Sequence, residues 1–128
     1  MKTALVIEDN ENNLELITFI LHSSGYATRY AINGLDGVAE ALRERPDFIL
    51  LDIQLPDIDG LEVARRIRAD EAGQPVPMIA ITSFAMAGDR ERVLAAGCNG
   101  YIEKPVDPLR VMTQIEQVGD DLGGADVD

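Results

Sequence analysis

Short apolar runs alternate along this chain with longer stretches in which apolar side chains recur every three or four positions. The runs Ala4–Ile7, Phe48–Leu51 and Met78–Ile81 contain no polar residue, as expected of strands covered on both faces. Ala27–Ala31 reads as a weaker strand with Thr28 and Tyr30 on one side, and Gly100–Ile102 as a brief fifth. Between the strands, Asn10–His22 puts Leu14, Ile17 and Leu21 on one helical face, with Asn10 as N-cap and Gly25 as the stop. Gly34–Arg45 carries Val38 and Leu42 and is closed by Pro46, and Leu61–Ala69 carries Leu61, Ala64 and Ile67. Ala87–Ala96, ended by Gly97, and Pro108–Val118, with Pro108 near its first turn, complete the helices. The segment Pro56–Gly60 is loop chemistry, and Gly73 with Pro75 breaks the chain again. The pattern predicts one domain over residues 1–119, followed by an acidic flexible tail over 120–128.

Strands and helices alternating at this spacing predict an α/β fold: a parallel sheet with right-handed crossovers and helices on both faces. In such sheets ligands bind beyond the carboxyl ends of the strands. Glu8-Asp9, Asp52, Thr82 and Lys104 all stand at predicted strand ends. Each has an ordinary reading when taken alone. Glu8-Asp9 fits an acid pair favoured at a helix N-terminus, Asp52 a turn-starting aspartate, Thr82 a hydroxyl satisfied at the core edge, and Lys104 a solvated lysine. Together they make a different kind of site. Crowded carboxylates raise one another's pKa, and a hard cation such as Mg²⁺ relieves that while neutralising charge on a transferring phosphoryl group. Asp52 is then a carboxylate able to hold a phosphoryl group as an acyl phosphate. Thr82 is a donor to a phosphoryl oxygen, and Lys104 an ammonium that pairs first with the carboxylate and then with the phosphoryl group. The Lys104-Pro105 bond is a candidate cis peptide.

Composition narrows the partners. A formal net charge of −12 argues against nucleic-acid backbones and anionic lipid, although surface acidity also serves plain solubility. No apolar stretch approaches the roughly 20 residues that span a bilayer. Met1-Lys2-Thr3 leads straight into the first strand, with no signal peptide, and the lone Cys98 suits a reducing cytoplasm. His22, Cys98, Met86 and Met112 read as surface, packing or interface residues.

Val6-Ile7-Glu8-Asp9-Asn10, Leu51-Asp52-Ile53-Gln54-Leu55-Pro56 with Asp59-Gly60, Ile81-Thr82-Ser83 and Lys104-Pro105 together carry a resemblance. The chain resembles the CheY-like receiver domain of two-component response regulators from about Lys2 to Val118. Glu8-Asp9-Asn10, Asp52–Pro56 and Phe84-Ala85-Met86 make it most similar to free-standing regulators of the DivK type and to receivers attached to hybrid histidine kinases. The resemblance implies a flavodoxin-like (βα)5 fold, a doubly wound parallel five-stranded sheet in the order 2-1-3-4-5. It implies Asp52 as phosphoacceptor, and Mg²⁺ (or Mn²⁺) held by the side chains of Asp9 and Asp52 and the backbone carbonyl of Gln54, with Glu8 acting through metal-bound water. It also implies Thr82 and Lys104 as contacts to the phosphoryl group and Tyr101, with Thr82, as the switch. Many relatives have Asp where this chain has Glu8.

The implied role is a phosphorylation switch in signal transduction and not a turnover enzyme; only self-phosphorylation and slow autodephosphorylation are expected. Its donor would be a histidine kinase or a histidine phosphotransfer protein, and its target a protein meeting the fourth helix, fifth strand and fifth helix. The protein would be a cytoplasmic monomer or a phosphorylation-dependent dimer. Phe84 and Gln54 are expected to border the site and limit attacking water. Two variants of this role are a phosphorelay intermediate that passes the group to a second histidine protein, and the receiver part of a hybrid kinase. A phosphatase of the haloacid dehalogenase type needs an Asp two residues after its nucleophile, where this chain has Gln54. A binding module that kept only the fold would have no need of the intact set Asp9, Asp52, Thr82 and Lys104.

Overall fold

The three all-apolar runs form the centre of the sheet, and the two polar strands form its edges. A computed structural model describes residues 2–70, 76–83 and 88–123, with side chains to 118. Its elements are β1 (Thr3–Ile7), α1 (Glu11–Ser23), β2 (Ala27–Ala31), α2 (Gly34–Arg43), β3 (Phe48–Asp52), α3 (Gly60–Asp70), β4 (Met78–Thr82), α4 (Asp89–Ala95), β5 (Gly100–Glu103) and α5 (Val111–Gly123). The strands are parallel and ordered β2-β1-β3-β4-β5, the flavodoxin-like arrangement. The expected breaks at Gly73 and Pro75, the start of the fourth helix at Ala87, Phe84, Met86 and the last residues of the tail lie outside the described residues.

Alternation along each strand divides the core into two layers. Leu5, Ile7, Ile49 and Leu51 face Ala41, Leu61, Ala64, Ile67 and Val93, which come from α2, α3 and α4. Ala4, Val6, Leu50, Ile79 and Ile81 face Ile17 and Leu21 of α1 and Val111 and Ile115 of α5. Leu5, Ile7, Ile49, Leu50 and Leu51 are essentially solvent-free. Each such side chain contributes about 1.5–3 kcal/mol over its exposed state.

Helix ends follow local hydrogen bonding. Asn10 caps α1 by accepting from Asn13 N–H at 2.9 Å. The Asp107 side chain accepts from Leu109 N–H at 2.9 Å, so Pro108 opens a turn and α5 begins at Val111. That helix runs to Gly123 and not to Val118, so the segment read as the start of a tail is in part helical. One interior glycine, Gly119, costs a helix only about 1 kcal/mol and does not end it. α2 is tied at its carboxyl end to β2: the Arg29 guanidinium donates to the carbonyl oxygens of Glu40 and, at 2.8 Å, Glu44, and pairs with the Glu40 carboxylate at 3.0 Å. Arg43 and Arg29 together hold the Glu40 carboxyl down at about 2. No helix among the described residues is long and apolar enough to cross a membrane.

Candidate functional site

All five strands end at one edge of the sheet, and the residues that terminate or follow β1, β3, β4 and β5 meet there. Asp52, the last residue of β3, is 2% exposed, and Glu8, directly after β1, is 1% exposed. Glu8 N–H extends the sheet ladder by donating to Ala31 O at 3.0 Å, which turns its side chain into the edge; Asp9 beside it is exposed. Glu8 Oε2 accepts from Asn10 N–H at 3.1 Å. Asp52 Oδ1 accepts from Gln54 N–H at 2.9 Å, and Asp52 Oδ2 accepts from Lys104 Nζ at 2.9 Å. The same ammonium lies 3.8 Å from Glu8 Oε1. The Lys104-Pro105 peptide is cis.

The loop after Asp52 folds back closely. Gly60 N–H donates to Ile53 O at 2.8 Å. A Cβ at Gly60 would stand 2.5 Å from the Asp52 carbonyl oxygen and 2.6 Å from Ile53 Cα, so only glycine fits.

Two buried carboxylates, Glu8 and Asp52, share one ammonium, and the balance shows at Glu8. Burial above all, then its hydrogen-bonding contact and repulsion with Asp52, push its carboxyl up to about 7, against the lowering effects of Asn10 N–H and Lys104. Its Oε1 is buried without a hydrogen-bond partner. Ligand oxygens of Glu8, Asp9 and Asp52 all lie within 4.8 Å of one another. Octahedral Mg²⁺ with bonds near 2.0–2.1 Å places its ligand oxygens about 2.9–4.2 Å apart. An orphaned buried oxygen in an all-oxygen acidic cluster suits such a hard cation, and small side-chain adjustments would complete the fit.

Thr82 ends β4 and is buried; its carbonyl oxygen accepts from Lys104 N–H at 2.8 Å. It also lines a cavity of about 460 Å³ with Ile53, Gln54, Leu55, Asp89 and Val93. Tyr101 stands apart from the carboxylates: it pairs with Ala80 in the β4–β5 register, half-buried against the core. Gln54 is exposed on the loop. Thus Glu8, Asp9, Asp52, Thr82 and Lys104 share one sheet edge. Two contributions escaped the reading of the sequence. Asn10 supplies a backbone N–H to Glu8 as well as its helix cap. Asp57 holds the loop to α2, through partners 22 and 23 residues earlier that no local pattern reveals.

Residues 4–116 match the family described as the response regulator receiver domain. Over 115 residues the chain is 43% identical to the polar-differentiation response regulator DivK of Brucella anthropi, covering 90% of this chain and 94% of that protein. The receiver domain of the sensor histidine kinase PA1611 from Pseudomonas aeruginosa, solved with a magnesium ion coordinated in its active-site cleft, is 39% identical with a TM-score of 0.83, covering 92% of this chain and 98% of that one. The co-crystal structure of the Saccharomyces cerevisiae histidine phosphotransfer protein Ypd1 with the receiver domain of its downstream response regulator Ssk1 matches at 28% identity and a TM-score of 0.83, covering 92% and 88%.

Proposed function

The chain belongs to the response regulator receiver family of two-component signalling, and from that premise we propose that Asp52 accepts a phosphoryl group from a phosphohistidine. The observation that carries this is a carboxylate, 2% exposed, at the end of a wholly buried strand with an ammonium 2.9 Å away. Burying a carboxylate costs stability even when it is paired, so its place here is explained by use and not by packing. In the transfer, an Asp52 carboxylate oxygen bonds to phosphorus as the bond from phosphorus to the donor imidazole nitrogen breaks. The Gln54 N–H and Lys104 orient the carboxylate beforehand. Lys104 then shifts its pairing towards the phosphoryl oxygens, and the Thr82 hydroxyl donates to one of them.

Asp9 and Asp52, with the Gln54 carbonyl, would hold Mg²⁺ or Mn²⁺, and Glu8 would act through a water of that ion. When bound, the ion neutralises charge on the carboxylates and on the transferring group. Movement of Thr82 and Lys104 towards the phosphoryl group biases a two-state equilibrium in which Tyr101 turns inward. The output is a change in protein binding at the face of α4, β5 and α5, including Asp89–Arg92, Tyr101 and Val106–Val111.

The test is phosphate incorporation from acetyl phosphate or a phosphohistidine donor, with and without Mg²⁺, on wild type and Asp52→Ala. Magnesium-dependent labelling that the variant loses is the expected result; absence of labelling with both donors refutes the proposal. Similarity to the receiver of a downstream regulator crystallised with its histidine phosphotransfer protein supports such a protein as donor, and similarity to the receiver domain of a sensor histidine kinase supports a second reading, a relay. Return of the phosphoryl group from Asp52 to a histidine phosphotransfer protein distinguishes relay from endpoint switch.

A further inference from the structure

The loop between Asp52 and α3 is held to more than its own strand. Asp57 Oδ1 accepts from Gly34 N–H at 2.7 Å, and Asp57 Oδ2 accepts from Leu35 N–H at 2.8 Å. Gly34 and Leu35 open α2, where backbone donors have no partner inside the helix. The next donor, Asp36 N–H, goes to Asn33 Oδ1 at 2.8 Å. One helix end is therefore capped twice: locally by Asn33, and from across the loop by Asp57. The second contact is close-packed as well. A Cβ at Gly34 would meet Ile58 Cγ1 at 2.6 Å and Val63 Cγ2 at 2.8 Å. Burial raises the Asp57 carboxyl, but the N–H groups of Leu35, Gly34 and Ile58 and its own outweigh this and bring it to about 2, so both oxygens accept throughout the neutral range.

The contact is more than a helix cap because of what the loop carries. From α2 the path runs through Asp57 to Gln54, whose N–H holds Asp52 Oδ1 at 2.9 Å. At its far end Gly60 N–H closes the loop on Ile53 O at 2.8 Å. Asp57 ties the stretch between to a separate element, while a helix cap alone needs only Asn33. We propose that Asp57 is a positioning residue: its clamp on α2 sets the path of residues 53–59 and hence the placement of the Gln54 carbonyl and the orientation of the Asp52 carboxylate. This deepens the reading of Asp52 as acceptor and Gln54 as a metal ligand, and rests on it.

Asn33 provides the control, because Asn33→Ala weakens the same helix end without touching the loop. Wild type, Asp57→Ala, Asp57→Asn and Asn33→Ala are compared as full chains, well below their melting temperatures. The readouts are Mg²⁺ affinity, by titration with the ion alone, and amide hydrogen exchange of Gln54, Leu55, Asp57 and Ile58. Asp57→Ala is expected to weaken Mg²⁺ binding roughly tenfold, as outer-shell substitutions do. It should also speed exchange at Gln54 roughly tenfold through loss of two charge-assisted bonds. Asp57→Asn, which keeps one acceptor oxygen, should fall between. Asn33→Ala should lower the melting temperature yet shift neither loop readout by more than about twofold. Equal effects of Asp57→Ala and Asn33→Ala, or faster exchange with unchanged Mg²⁺ affinity, would overturn the positioning role. If wild type bound no Mg²⁺, the metal reading would fail instead, and exchange at Gln54 would decide the clamp by itself.

Discussion

Neutralising Glu8 should stabilise the metal-free protein. Its carboxyl is 1% exposed, lies against Asp52 and keeps one oxygen without a hydrogen-bond partner. A rise from 4.5 to about 7 corresponds to roughly 3 kcal/mol between the protonated and ionised forms. The sign follows from the proton count. Below pH 4.5 the group is protonated in both folded and unfolded chains, and it costs nothing. Above pH 4.5 the unfolded chain loses the proton while the folded chain keeps it, so stability falls with rising pH until the folded group ionises near 7. Above that the deficit stays at its full value.

Glu8→Gln removes this deficit while keeping a side chain of the same size. Thermal melts in chelator at pH 5 and pH 8.5 measure it directly. In a domain of this size each kcal/mol moves the melting temperature by about 4 °C, so the variant should gain roughly 10 °C at the higher pH and little at the lower. Added Mg²⁺ should raise the wild type more than the variant, which keeps Asp9, Asp52 and the Gln54 carbonyl but no longer has the Glu8 charge to neutralise. Parallel pH profiles for the two proteins in chelator would show that Glu8 carries no such penalty, and would refute the reasoning.

Other substitutions test other parts of the structure. Lys104→Met leaves Glu8 and Asp52 facing each other without their shared cation; it should cost about 3 kcal/mol in urea unfolding at pH 8, at the low end for a broken buried pair because Lys104 is 18% exposed, and should move Glu8 proton release to higher pH by NMR titration. Gly60→Ala drives a methyl into the Asp52 and Ile53 backbone and should lower stability by about 1–3 kcal/mol, a cost that an unchanged urea midpoint would disprove. Leu51→Ala opens a cavity beneath the site and should cost about 2–5 kcal/mol with an unchanged m-value.

The sheet was legible because its central strands are apolar without interruption. A run such as Phe48–Leu51 ending in Asp52 fixes both the burial and the polarity of a strand exit. The candidate site was legible for the same reason, since topology alone carries Glu8, Asp52, Thr82 and Lys104 to one edge. Three features were not legible. The start of α5 depends on Asp107 capping a turn, and a helix pattern beginning at Pro108 looks the same without it. The end of α5 depends on whether a glycine stops a helix or is only tolerated, which composition does not decide. Asp57 in a proline- and glycine-bounded loop reads as turn chemistry, because its partners Gly34 and Leu35 lie far back in the chain.

The two ties on α2 give the domain a mechanical asymmetry. One end of this helix is gripped by Asp57 and the other by Arg29, so it cannot slide or tilt without breaking a charged bond at one end. On the other side of β3, α4 is a helix of only seven residues, opening on Gly88, which has no side chain to offer as a cap. Its far end is tied to α3, where Arg68 donates to Gly97 O at 2.9 Å, so α4 is held at one end and uncapped at the other, while α2 is held at both. A deformation started at the sheet edge would thus break fewer bonds at the opening of α4 than at either end of α2, which gives it a direction.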